Sequence, residues 1–250
     1  MEIKSINQYD IDVLLSTAKQ ISSEELSAFP EFEQLWGRIT SRLGRDSKFS
    51  SSIEFFVTPS NVLIIKSRLS EYNIDTTIIE GDCVICNAGG FETDGHLNEF
   101  INDYCSAMPS KKYIVDGAFI YKTDSFGRIR STIEYLNSVP KRKRGGHDSK
   151  EFVKITASKD GKATDVGGHI VAHNVQGPNE SINIVPMDSN FNNSGDWKSM
   201  EKMIQNAFIY KNEVQVKKEL SYPGDSKRPN KILVNTLIAG EESNFSFDLP

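Results

Sequence analysis

Apolar residues recur at helical spacing through positions 9–43: Ile11, Val13, Leu14 and Leu15, then Leu26, Phe29, Phe32, Leu35, Trp36, Ile39 and Leu43. That spacing predicts helices, with Pro30 where the second would start. A serine-rich stretch at 47–52 reads as a loop. Beyond it, Ser52–Val57 and Val62–Ser67 read as short strands around the turn composition Thr58-Pro-Ser-Asn61. The run from Thr76 to Ile85 reads as a buried strand, ended by Asn87-Ala-Gly-Gly90, and 97–108 as a helix. Tyr113–Tyr121 favours β structure, Thr123-Asp-Ser-Phe-Gly127 a turn, and Arg128–Leu136 alternates as a half-buried strand. Asn212–Leu220 and Lys231–Ile238 alternate as two further strands, joined by Tyr222-Pro-Gly-Asp-Ser-Lys-Arg-Pro229. Pro109-Ser-Lys-Lys112 is the candidate domain boundary, and Lys141-Arg-Lys-Arg-Gly-Gly-His147 is a basic connector. The expected class is α+β, with a smaller α/β-type module over 1–110 and a second domain over 111–250.

At 250 residues, with 38% hydrophobic and 25% charged residues, the chain can bury a core without disulfide staples. No apolar run approaches the ~20 residues of a membrane span. The opening MEIKSINQYD lacks the basic-then-apolar layout of a signal peptide. Net charge −5 taken alone argues against nucleic acid as a partner. Split at the boundary, the picture changes. Residues 1–110 carry 8 Lys and Arg against 17 Asp and Glu, whereas 111–250 carry 21 against 17. The acidic first half and basic second half suggest separate roles.

Three cysteines, Cys83, Cys86 and Cys105, do not read as a disulfide framework. With His96 they could supply four zinc ligands, a zinc-enzyme reading set against buried structural thiols.

The segment from Asp165 to Glu201 is where chemistry concentrates. Asp165-Val-Gly-Gly-His169 reads as a turn whose glycines permit positive φ and close approach of a ligand. His169 then enters the apolar run Ile170-Val-Ala. A neutral imidazole with an ordinary pKa near ~6.5 can take a proton from water at neutral pH. Asn193 or Ser194 suits a helix N-cap, and Asn193 with Asp196 resembles a capping box. On one helix, Asn193, Trp197 and Glu201 would drift by only ~80° around the axis. Their amide and carboxylate oxygens are hard ligands that suit Mg²⁺. Structural readings stand beside these: a histidine held in a turn, asparagines as loop formers, Trp197 as core, and His173 as a supporting residue.

The motifs D-x-G-G-H, a Gly-Pro/Asn loop at Gly177-Pro-Asn179, N-[IL]-V-P-x-[DN]-x-N and N-x-G-x-W-x-x-M-E resemble the DNA/RNA non-specific endonucleases of the ββα-metal (His-Me finger) superfamily. The likeness is to the branch found as C-terminal domains of bacterial toxins, and it covers roughly residues 113–240. It implies a C-terminal ββα-metal domain with an antiparallel sheet. It implies His169 as the general base, Asn193 as metal ligand and Glu201 as the carboxylate holding the metal's water shell. Asn183 is implied as an amide supporting the active-site loop. One extra residue between Pro186 and Trp197 keeps Asn192 as an alternative ligand. Val166 and Gly167 stand where longer-studied secreted members carry an arginine beside the histidine. Arg142, Arg144 and Arg228 are then the candidates for transition-state charge.

The resulting expectation is a metal-dependent endonuclease using Mg²⁺ or another divalent cation such as Mn²⁺. It would cut DNA, with RNA as a further substrate, and bind phosphates through Arg142, Arg144, Lys227 and Arg228. The resemblance implies an antibacterial toxin made in the bacterial cytoplasm without a signal peptide and exported by a dedicated secretion system. Its partners would be a cognate immunity protein and, through residues 1–110, a secretion-system component. The alternative is a non-catalytic nucleic-acid or protein-binding module whose contact is the Lys141–Arg144 run.

Overall fold

Period-two alternation is what builds the principal sheet. The computed structural model describes residues 10–22, 24–29, 32, 53–70, 73–87, 108–139 and 160–250. In chain order the strands are β1 (Lys19–Ile21), β2 (Ile53–Val57), β3 (Leu63–Ser70), β4 (Asn73–Glu80), β5 (Cys83–Cys86), β6 (Lys112–Val115) and β7 (Phe119–Thr123). They continue with β8 (Ile129–Tyr135), β9 (Asp165–His169), β10 (Ile184–Asp188), β11 (Val214–Ser221), β12 (Lys231–Ile238) and β13 (Glu241–Asp248). Eleven of them form one sheet in the order β1 to β8, then β11, β12 and β13. Every pairing in it is antiparallel except β5 with β6. Between the neighbours β8 and β11 the chain leaves the sheet and builds the two-stranded β9–β10 ribbon with two helices.

Burial follows the pleat. Val214, Val216, Lys218 and Leu220 face inward from β11, and Ile232, Val234 and Thr236 face inward from β12. The expected strands at 52–57, 62–67, 128–136, 212–220 and 231–238 all lie in this sheet. Two expected strands are each divided by a turn. The run 76–85 is split at Gly81, which has φ of 61°. Tyr113–Tyr121 is split at Asp116-Gly117, both at positive φ (56° and 64°), a conformation that suits a tight hairpin. The expected helical stretch at 9–43 holds one α-helix among the described residues, α1 (Ile11–Thr17), capped by Asp10 through the Val13 N–H at 3.0 Å. Lys19–Ile21 then pairs with β2, so strand pairing overrides helical spacing there. Of the helix expected at 97–108 only Met108 is described, and it is not helical; the connector at 141–147 lies outside the described residues.

The first half adds β1–β5 to the same sheet through β5–β6, with Cys83 opposite Lys112 and Cys86 opposite Val115. Hydrogen bonding therefore runs across the candidate boundary at 109–112. Cys83 and Cys86 are three residues apart on one strand, so they project to opposite faces. That corrects the zinc reading for this pair, since the two thiols cannot converge on one ion. His96 and Cys105 lie outside the described residues.

The inner face carries one costly feature. Glu134 on β8 and Lys218 on β11 form an ion pair, both almost wholly buried. Burial pushes the Glu134 carboxyl up, against the pull of Lys218, and the negative field of Glu201 pushes it further.

Candidate active site

The Asp165–His169 segment is a strand rather than a turn. It pairs antiparallel with β10, setting His169 opposite Ile184 and Gly168 opposite Val185. Neither Gly167 nor Gly168 is at positive φ. Gly168 is required for a different reason: a Cβ there would lie 2.7 Å from the Met187 sulfur and 2.9 Å from its Cβ. The ribbon strands can approach only over a glycine. At the far end of β9, Asp165 is locked by Arg228, with Nε donating at 2.6 Å and Nη2 at 3.1 Å. Arg228 is buried, and Nη2 also donates to the Pro250 carbonyl. This corrects its expected role as a phosphate contact, because its guanidinium is committed to anchoring the strand that carries His169. Lys227 stays exposed, 3.1 Å from Asp160. Arg142 and Arg144 lie outside the described residues.

Past His169 the chain is held by one buried amide. Asn183 accepts from the Val171 N–H at 2.8 Å and donates to the carbonyls of Val171 and Pro178, both at 2.9 Å. Gly177 fits because a Cβ there would sit 2.0 Å from the Val171 carbonyl oxygen. This bracing presents Asn179, buried at the end of Gly177-Pro178-Asn179. Its Oδ1 lies 2.5 Å from Nε2 of His169. With that oxygen accepting, Nε2 carries the proton and the imidazole is the tautomer with its lone pair on Nδ1. The His173 ring stands edge-on, 5.6 Å away between centroids.

The other wall comes from two helices after β10. Asp188 caps α2 (Ser189–Asn193) by accepting from the backbone N–H groups of Asn190 and Phe191. The Phe191 bond leads in holding the Asp188 carboxyl below its usual range. Ser194 is extended, Gly195 is at φ of 67°, and α3 (Gly195–Ile209) starts afresh. Asn193 and Glu201 therefore do not share one helix as the spacing had suggested. The expected capping box is also absent: the Asn193 amide donates to the Ser189 carbonyl and the Ser194 hydroxyl to Asn190. Trp197 is core, packed between Phe191 and Phe247 at centroid distances of 5.4 and 5.2 Å. That packing fixes α3 and hence Glu201, which is nearly buried and paired with Lys198 at 3.0 Å.

A cavity of about 260 Å³ brings His169 and His173 together with Asn192, Asn193, Lys198 and Glu201. Four expected site residues thus face one space, and Asn183 braces its loop from behind. Asn192 and Asn193 both line it. Two residues were missed. Asn179 gains its role only by folding back onto a histidine ten positions earlier. Lys198 was readable as the residue one turn before Glu201 on the helix. Among the described residues no three His, Cys, Asp or Glu side chains converge as a ready metal cage.

Because Asn179 sits on the ring nitrogen opposite the lone pair, Asn179→Asp places a carboxylate there and favours imidazolium. The acid limb of the pH–rate profile should move to higher pH by about one unit or more. Asn179→Leu should lower kcat with little change in KM. An unshifted profile for the aspartate variant would show that Asn179 does not govern the imidazole.

Two strands followed by two helices thus set an imidazole at the end of the first strand, with amide and carboxylate oxygens on the helical side. The chain belongs to the DNA/RNA non-specific endonuclease family, which residues 109–240 match. It is also 28% identical, over 155 residues, to the type VII secretion system protein EssD of Staphylococcus aureus strains USA300 and NCTC 8325. That match covers 58% of this chain and 25% of each relative, and the Newman strain protein matches alike. The chain spans about a quarter of the length of these relatives.

Proposed function

We propose that the chain is a divalent-metal-dependent endonuclease that hydrolyses phosphodiester bonds of DNA, and of RNA, with little sequence preference. The observation that carries this reading is the cavity joining the His169 imidazole to the side chains of Asn192, Asn193 and Glu201. His169 accepts a proton from the attacking water at Nδ1, while Asn179 holds Nε2–H and fixes the ring. Asn183 keeps the intervening loop in register. Lys198 offers a cation beside the scissile phosphate, the place where the expected arginine neighbour of the histidine is missing.

The donor set suits a hard ion. Asn193 spends its amide N–H on Ser189, so its oxygen is the atom offered to a ligand, with Asn192 as its neighbour. The Glu201 carboxylate completes an all-oxygen set, in keeping with an ion that retains waters. Mg²⁺ or Mn²⁺, when bound, supplies Lewis acidity toward the phosphate and leaving oxygen. The exposed Lys227, with Arg142 and Arg144 of the basic run, is proposed to track the phosphate backbone.

The relatives are named for type VII secretion, which supports an export context; an antibacterial toxin with a cognate immunity protein is the role proposed within it. Residues 1–110 would serve delivery, docking or restraint. Among the described residues no helix is long and apolar enough to cross a membrane.

The test is plasmid cleavage by the purified chain with Mg²⁺ or Mn²⁺, with and without chelator. Supercoiled DNA should be nicked and linearised with either metal, and chelation should abolish the activity reversibly. Absence of cleavage with every divalent ion tried would overturn the reading.

A further inference from the structure

A second feature stands apart from the catalytic cavity. At the β7–β8 turn a trough of about 750 Å³ is lined by five cations, Lys111, Lys112, Lys122, Arg128 and Arg130. Only two carboxylates, Asp82 and Asp124, face them. It shares no lining residue with the cavity around His169. In a chain of net charge −5 such a concentration runs against the average.

Among the described residues, the protein's own acids do not balance these cations. Asp124 is committed to Arg128, at 2.7 Å, and to the backbone N–H groups of Phe126 and Arg128. Lys112, Lys122 and Arg130 make no ion pair among the described residues. Lys112 and Lys122 are also direct cross-strand partners. Like charges so placed destabilise a sheet unless an anion lies between them.

The aromatic residues narrow the choice of anion. Phe126 is 64% exposed at the tip of the turn. The Arg128 guanidinium lies 4.6 Å from the ring centroids of both Phe126 and Tyr222. It also donates to the carbonyls of Gly224 and Ser226, so the group is fixed from several sides. An outward-facing ring backed by a fixed guanidinium, beside a row of cations, matches a strand with charged phosphates and unstacked bases. Duplex bases, already stacked, cannot use such a ring.

We propose that this trough binds a single-stranded stretch of nucleic acid, as a contact separate from the catalytic cavity. The proposal rests on the reading above that the chain acts on nucleic acids. Phosphates lie along Lys112, Lys122 and Arg130, and one base stacks on Phe126. Such a contact would hold a strand end or a locally melted segment near the enzyme after the first cut.

The test measures binding of labelled oligo-dT by full-length His169→Ala protein across a salt series, so that cleavage does not intrude. Adding Lys112→Gln, Lys122→Gln and Arg130→Gln should make the slope of log K against log salt shallower by about 2. A control removing Lys19, Lys66 and Lys211 in the same way should change it far less. Phe126→Ala should weaken oligo-dT binding about fivefold or more and leave a duplex of equal length unaffected. Unchanged slope, equal effects of the control, or no effect of Phe126→Ala would each overturn the proposal. So would poly-glutamate binding as tightly as oligo-dT, since that marks a general anion patch. Plasmid cleavage by the unmodified protein reads the nuclease function independently. Cleavage with an unchanged slope removes the trough alone, whereas a changed slope without cleavage removes the nuclease reading alone.

Discussion

With His169 replaced by alanine, the metal-dependent cleavage rate on plasmid DNA should fall by about 10²- to 10⁴-fold, the range supplied by a positioned general base. The loss should appear in kcat, because the imidazole acts on water and not on the substrate's backbone. Stability will not be wholly unaffected. The change strands the buried Asn179 amide 2.5 Å from where Nε2 stood, at a cost of about 1–3 kcal/mol. His169→Gln separates the two effects, since its amide can still meet Asn179 but is no base near neutral pH. Both variants should keep their affinity for a duplex oligonucleotide. Cleavage by His169→Ala within threefold of the unmodified chain would remove His169 as the base.

What the chain discloses about itself depends on whether a property is local. β11 was legible because its alternation is the pleat itself, with Val214, Val216 and Leu220 inward, whereas β8 was located but its fully buried positions include the polar Thr132 and Glu134, with Ile133 and Tyr135 only partly buried. β9 was read as a turn because Gly167-Gly168 carries the composition of one. The glycine at 168 answers a demand made by Met187, nineteen positions away, which local spacing does not reveal. β13 was not expected at all, for its exposed residues Glu241–Asn244 have no apolar alternation. It is held by backbone pairing along the whole of β12.

The site follows the same division. His169, Asn183, Asn193 and Glu201 stood out through motif likeness, and the folded chain gathers three of them on one cavity with Asn183 behind. Arg228 was misread because a sequence shows a cation but not its partner. Its carboxylate lies 63 positions away and takes both arms of the guanidinium. Asn179 acquires its role only by folding back onto His169, whereas Lys198 stands one helical turn from its partner Glu201. The charge split between halves stands as a fact of sequence, yet the strands at the boundary share one sheet.

Lys218→Met is expected to cost about 3–5 kcal/mol of folding stability, the penalty for leaving a buried carboxylate without its partner. Glu134 has no exposure and Lys218 is 2% exposed, so water cannot replace the lost ammonium. Thr132 remains, its hydroxyl 3.5 Å from the Glu134 carboxylate, and the Glu201 charge opposes a second buried anion. Glu134 should respond by taking up a proton. Its folded pKa then rises further above the unfolded value, so the variant's stability is greatest at low pH and declines as pH rises through the folded pKa. Urea melts at pH 5 and pH 8 should therefore show the smaller deficit at pH 5. Adding Glu134→Leu removes the orphaned charge, and the double variant should regain most of the loss. A deficit below 1 kcal/mol in the single variant, or none regained in the double, would refute this account of the pair. The double variant's cleavage rate then separates two roles. Restored stability with restored activity makes the pair structural, whereas restored stability with lost activity means that the pair also serves the site around Glu201.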